Sequence, residues 1–338
     1  MRKPYALLLS LCCLLWLPTG TARAADNGSW SVYPVASKIA ARPYFTLSAE
    51  PGQTLTDKVA VQNKTDKPLT FRLYAADAYN TARDGGFAVR TAGERMRGVG
   101  AWARPAKSRI TVPGHKTVTV PFTLHVPDGA GPGDHPGAVV ALDERTAPGS
   151  GRLALGVRRA VGARVYLRVG GPTLPALSVG QVRISHHQPL VPGLGDSTAT
   201  VSYTLRNTGN VTLSPRVELT ARGLFGRTLL DRDLVRVPAE LLPGQRVRLT
   251  ETWRGAPQFD RGEVTLTASA PGTRQSAGAT FLALPWLPVA LVFAVGVATG
   301  ALLVRARRVR ARRSVPGRPS PRARTTPSRP RSSPSARP

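Results

Sequence analysis

A chain of 338 residues has room for two or three domains of ordinary size. Its net charge of +28 would ordinarily suggest nucleic acid, but the last 34 residues hold twelve arginines and no acid, and Arg2, Lys3 and Arg23 fall in an N-terminal leader. Taking those fifteen charges away leaves +13 thinly spread over the middle, which argues against a nucleic-acid partner. Both cysteines, Cys12 and Cys13, also lie in the leader, so a mature chain has neither disulfide nor thiol chemistry.

The leader reads as a signal peptide over residues 1–25. Arg2 and Lys3 precede an apolar run at 5–17, Pro18 and Gly20 break it, and Thr21, Ala22 and Ala24 offer small side chains for cleavage after Ala24 or Ala25. Leu11, before Cys12, is too large for a lipoprotein signal.

From residue 26 to 281 apolar and polar residues alternate with the period of strands. Val59 and Val61, then Leu69, Phe71, Leu73 and Ala75, share one face, with Lys58, Gln62, Thr70 and Arg72 on the other. The pattern returns at 118–126, 161–169, 201–205, 217–219, 247–249 and 264–268. Short alternating strands between Pro, Gly, Asn and Asp clusters predict all-β, immunoglobulin-like antiparallel sandwiches.

A repeat divides this region into two, at 26–170 and 171–281. Residues 56–77 read strand, Asn-containing turn, strand, and Pro113-Gly114 then opens a long alternating strand. Residues 198–221 repeat the first unit, and Pro243-Gly244 repeats the opening. The Asn-to-Pro interval is 50 residues from Asn63 and 36 from Asn207, so the first copy carries an insertion, a usual place for a binding surface. The turn asparagines are expected to tolerate positive φ and to bond back to the backbone.

Residues 284–304 form an uncharged stretch of 21, about 31 Å as a helix and close to the hydrocarbon thickness. Trp286 marks its outer edge and Arg305, Arg307 and Arg308 its inner one. The chain is thus expected to cross a cell membrane once, N-terminus outside and C-terminus in the cytoplasm. The tail at 305–338 is Arg, Pro and Ser, predicted to be disordered and to hold anionic lipid at the inner leaflet.

Four stretches of the first half, 30–35, 44–63, 101–114 and 126–141, resemble the peptidoglycan-binding domain of the WxL-interacting proteins of Gram-positive bacteria. The second half sits where that family has its host-binding domain, before a membrane helix and a basic tail. The arginine-rich composition, 40 Arg against seven Lys, looks actinobacterial. The resemblance implies a non-catalytic, adhesive surface protein that binds peptidoglycan or an anionic wall polymer and presents its second domain to secreted or surface proteins. The alternative is a membrane-tethered assembly factor, a chaperone-like sandwich offering an edge strand to secreted proteins.

No catalytic set assembles from the residues, and no cofactor or metal site is expected. His115 and His125 flank one predicted strand, His186 and His187 face apart, and Asp134-His135 has no nucleophile in a suitable elbow. Trp30 and Trp102 are candidates to stack on sugar rings. Tyr79 and Asn80, within the loop at 75–86, are the better exposed candidates for ligand binding.

Overall fold

The structure, a computed structural model, describes residues 25–36, 42–145 and 158–313. The expected leader, apart from Ala25, and the tail beyond Arg313 lie outside the described residues.

In the first half, β1 (Ala25–Asp26), β2 (Trp30–Pro34), β3 (Phe45–Ala49), β4 (Thr54–Asn63), β5 (Leu69–Asn80) and β6 (Phe87–Val89) precede a four-residue helix, α1 (Val99–Trp102). Then come β7 (Ala103–Pro105), β8 (Arg109–Val112), β9 (Thr117–His125), β10 (Gly133–Asp143) and β11 (Ala160–Val169). One sheet has the order β1-β2-β4-β9-β7; the other runs β3-β11-β10-β5-β6, with β8 also on β5. Every pairing is antiparallel except β3 with β11. The chain leaves β2 in one sheet and rejoins the other at β3, so β3 reaches the β11 edge from the opposite direction.

Alternation decides which residues go inside. In β9, Val120, Phe122 and Leu124 are buried while Thr119, Pro121 and Thr123 are not. With Val59, Val61, Phe71, Leu73 and the inward residues of β11, they form one core between the sheets. Phe45 meets Phe122 edge-on, with centroids 5.0 Å apart.

The second half repeats the plan with β12 (Leu177–His187), β13 (Thr198–Asn207), β14 (Arg216–Arg222), β15 (Thr228–Asp233), β16 (Arg246–Arg254), β17 (Asp260–Ala270) and β18 (Thr273–Ala283). The sheets β12-β13-β16 and β15-β14-β17-β18 enclose a separate core around Tyr203, Leu219, Leu249, Trp253 and Leu266. Both halves are immunoglobulin-like sandwiches.

The repeated asparagines are fully buried brackets. Asn63 Nδ2 donates to the Lys67 and Val112 carbonyls at 2.8 and 3.0 Å, and its Oδ1 accepts from the Thr65 N–H. Asn207 Nδ2 donates to Val211 and Leu241 at 2.7 and 2.8 Å, and its Oδ1 accepts from the Gly209 N–H. Each side chain ties its own turn to the segment leading into or out of the Pro-Gly opening. The expectation of positive φ at these asparagines fails, because in these segments it is His115 and Gly244 that adopt it, at 55° and 70°. A buried amide is required here for its three bonds, not for its backbone freedom.

α2 (Trp286–Arg313) begins two residues after β18 closes with Leu284-Pro285 between. Its segment Trp286–Arg308 has a mean hydropathy of 2.4, and by length and composition it is apolar enough to cross a membrane. The helix carries on through Arg313, nine residues into the segment expected to be disordered. Ala and Arg are strong helix formers, and no Pro interrupts until Pro316.

Candidate functional site

The insertion of the first sandwich occupies the residues from Thr81 through β7. Its backbone is pinned by one carboxylate on β5. Asp77 accepts the N–H groups of Arg97, Gly98 and Gly100 at 2.5, 3.1 and 2.8 Å. That shapes the loop into α1 and presses it on the sheet. A Cβ on Gly100 would stand 2.6 Å from the Asp77 nitrogen, so only glycine lets the helix approach this closely.

The first sandwich meets the second through two junctions. At one, buried Asn80 donates from Nδ2 to the Gly85 and Glu240 carbonyls, both at 2.7 Å, and accepts from the Leu242 N–H at 2.9 Å. Tyr166 adds a hydrogen bond to the Glu240 carboxylate at 2.8 Å. Burial, reinforced by that carboxylate, pushes the Tyr166 hydroxyl up to about 12 against the lowering effect of Arg164.

At the other junction, Asn210 donates to the Pro132 and Pro172 carbonyls, both at 2.9 Å, and Asp134 accepts from the Thr212 N–H at 2.8 Å and from Arg168 at 2.7 Å. Gly133 takes φ 115° there, and a Cβ would lie 2.2 Å from the Asn210 carbonyl oxygen.

Residues of both junctions line an open cleft of about 770 Å³ between the sandwiches. Arg90, Glu94, Arg95 and Arg97 from the insertion form one wall, Asp134 and His135 the floor, and Gly209, Asn210 and Gln245 the far side. Arg90 pairs with Glu94 at 3.2 Å, and the Thr91 N–H and hydroxyl hold the Glu94 carboxyl below the usual range. Arg95 and Arg97 have no ion pair among the described residues. Two uncommitted guanidiniums among backbone and amide groups suit a ligand that carries both carboxylates and amides, since the planar fork binds carboxylate bidentately.

The residues singled out from sequence fare differently. Trp30 is 1% exposed and packs on Phe71 with centroids 5.3 Å apart; this corrects its candidacy, because facing the core on β2 leaves no ring surface for a sugar. Asn80 is likewise corrected, since its amide is spent on the junction. Tyr79 is half-buried with the Arg90 guanidinium 5.8 Å from its ring. Trp102 is half-buried and packs against His135 with the rings tilted at 49° and centroids 4.7 Å apart, and the His135 Nε2–H donates to the Gly131 carbonyl at 2.8 Å, so the tryptophan backs the cleft floor through the histidine. His186 lies against Phe281 at 5.3 Å, and burial lowers its pKa. Sequence reasoning passed over Arg95 and Arg97. The available signal was three arginines at 90–97 inside the insertion.

A second surface lies on the outer face of the sheet β12-β13-β16. Arg206 and Arg246 are directly paired across strands, as are Thr204 and Arg248, and Arg183 and Arg254 stand further along. The rest of this face is mainly Ser and Thr, with no carboxylate among the described residues. A β-bulge between Gly180 and Arg183 turns Gln181 to φ 53°, and its side-chain oxygen accepts from Thr204 at 3.0 Å. Together these side walls shape a hollow of about 580 Å³ holding Arg206, Arg246 and Arg248.

Residues 31–141, from β2 to the end of the β10 core, match the family model "WxL Interacting Protein, peptidoglycan binding domain". The first sandwich contains a WxL-interacting-protein peptidoglycan-binding domain. This is a family of binding domains rather than of enzymes, and the cleft wall at 90–98, Asp77 and His135 all fall within the match. No curated protein sequence matches the chain. Among solved structures, the class 5 fimbriae chaperone CfaA is similar at 11% identity and a TM-score of 0.35, covering 75% of this chain and 98% of its own. The CsuC–CsuE chaperone–tip subunit complex of Acinetobacter baumannii is similar at 10% identity and 0.35, covering 74% and 98%. Likenesses this remote say nothing about what this chain binds.

Proposed function

We propose that the protein is a non-catalytic, membrane-anchored cell-surface protein whose first domain (26–170) binds peptidoglycan at the inter-sandwich cleft. The observation that carries this reading is the family match over residues 31–141, which takes in one wall and the floor of that cleft. Arg95 and Arg97 would receive the carboxylates of peptide stems, and the backbone groups around Gly98, Gly131 and Gly209 would receive their amides. The second domain (171–281) would hold an anionic wall polymer on its arginine face, where closely set guanidiniums meet no internal acid. α2 would span the membrane with its basic end in the cytoplasm, following the rule that positive flanks stay inside.

The full-length protein in detergent micelles, mixed with isolated cell walls, tests this. Sedimentation with walls chemically stripped of anionic polymer is expected to persist and to fall about tenfold in the Arg95→Gln/Arg97→Gln variant, the loss of one or two charge-assisted bonds. Arg206→Gln/Arg246→Gln is expected to weaken binding only to unstripped walls. No sedimentation with stripped walls at moderate salt would sink the peptidoglycan reading.

A second reading is favoured by β16, nine residues long and at the edge of its sheet, whose outer backbone groups could pair with a strand from a secreted protein. An assembly factor of that kind would crosslink to a stable protein partner and leave walls in the supernatant.

A further inference from the structure

Outside α2, ten large apolar side chains stand exposed among the described residues, and seven of them gather at one end of the second sandwich. Leu190, Val191 and Leu194 lie between β12 and β13, Leu224 and Phe225 between β14 and β15, Phe259 between β16 and β17, and Leu282 near the close of β18. Strand register puts all of them at the same end. His187 pairs with Thr198, and Thr198 with Arg254, while Asp260 pairs with Ala283 at the matching end of the facing sheet. The loops are also tied to one another: the Gly193 N–H donates to the Gln258 side chain at 2.8 Å, and the Leu224 N–H to Asp260 at 3.0 Å. The opposite end of this sandwich carries Asn210 and Leu242, where it joins the first.

Phe225 is the sharpest case. It is 103% exposed and holds φ at 58°, a conformation that costs an aromatic residue energy and that no contact among the described residues repays. Evenly scattered apolar residues would need no explanation, but a cluster on loop tips marks an interaction surface.

The chain itself indicates the partner. β18 closes at Ala283 and α2 opens at Trp286, so the strand end and the helix start stand at most about 11 Å apart. The apolar tips therefore stand beside the point where the helix begins. Arg222, Arg254 and Arg261 surround them, with Arg227 paired to the buried Asp260 at 3.0 Å, against two exposed acids at this end, Asp196 and Glu263. Apolar and aromatic tips ringed by arginine match a headgroup layer over hydrocarbon.

We propose that this end of the second sandwich docks into the outer headgroup region of the bilayer, with Phe225 and Leu194 at the apolar boundary and the arginines on lipid phosphate. The proposal rests on α2 spanning that bilayer. Docking would hold the sandwich upright on the membrane and leave the arginine face and the first sandwich pointing away from it.

Full-length protein carrying Cys12→Ser and Cys13→Ser, in nanodiscs of phosphatidylglycerol and phosphatidylcholine, tests both parts separately. A polarity-sensitive dye is placed singly through Phe225→Cys, Leu194→Cys, Val295→Cys in the middle of α2, or Gln275→Cys at the far end of β18. Dyes at 225 and 194 are expected to emit further to the blue than at 275 and to be several-fold less quenched by aqueous iodide, with 295 the most protected. If 225 and 194 behave like 275 while 295 is protected, the docking is wrong and the span stands. Aqueous behaviour at all four positions overturns the span and the docking with it.

Discussion

Asn207 and Asn63 each close a sandwich with one amide, which makes them the sharpest single-residue test of the fold. Asn207→Ala strands the buried Val211 carbonyl, while the Leu241 carbonyl keeps the Leu213 N–H and the Gly209 N–H keeps the Ala176 carbonyl. A buried group left unpaired costs about 1–3 kcal/mol, so a loss of that size and a fall of roughly 5–10 °C in the second domain's melting temperature are expected by calorimetry. Asp260 supplies a pH test. The Leu224 N–H first, then the Arg261 N–H and Arg227, hold its carboxyl below the usual range. A depressed folded pKa gives stability that is present above the unfolded value, near 4, and disappears as pH falls through the folded one. Thermal midpoints measured from neutral pH down to about 3 should therefore decline, and Asp260→Asn should flatten that decline. An unchanged slope in the variant would assign the acid sensitivity elsewhere.

The elements divide into those whose sequence is decisive and those whose sequence is not. β9 and β11 were legible because one face of each is buried over nearly the whole length, so period two survives without exception. β12 was not legible: its bulge at Gly180 breaks the alternation, and its outer face is Ser, Gln, Arg and His. The insertion showed itself as an excess of spacing between Asn63 and Pro113, which says that something is built there but not which side chains face the cleft. Trp30 and Arg95 show the limit. A tryptophan carries the same letter in a core as in a sugar site, and an arginine draws no notice in a chain with forty of them. At this scale the two junctions are testable. Asn80→Ala with Asn210→Ala removes six hydrogen bonds between or beside the sandwiches, and calorimetry should then separate two unfolding transitions. A single sharp transition in the double variant would mean that the remaining contacts, Tyr166 with Glu240 and Asp134 with Thr212 among them, suffice to couple the sandwiches.

For the whole molecule, the arrangement is a line from α2 through the second sandwich to the first. β18, with eleven residues, sets a separation of about 36 Å between the helix and the inter-sandwich cleft. With α2 in the membrane and the base seated on it as proposed, a binding domain at that height would meet the inner layers of the wall in one orientation. The central claim is that the cleft between the sandwiches is where peptidoglycan binds. Hydrogen-exchange mapping of the full-length protein, with and without soluble glycan–peptide fragments of the wall, tests it most directly. Protection is predicted at residues 90–100, 131–136, 209–210 and 242–245, and its absence there, or its appearance on another face of the first sandwich, would contradict the account.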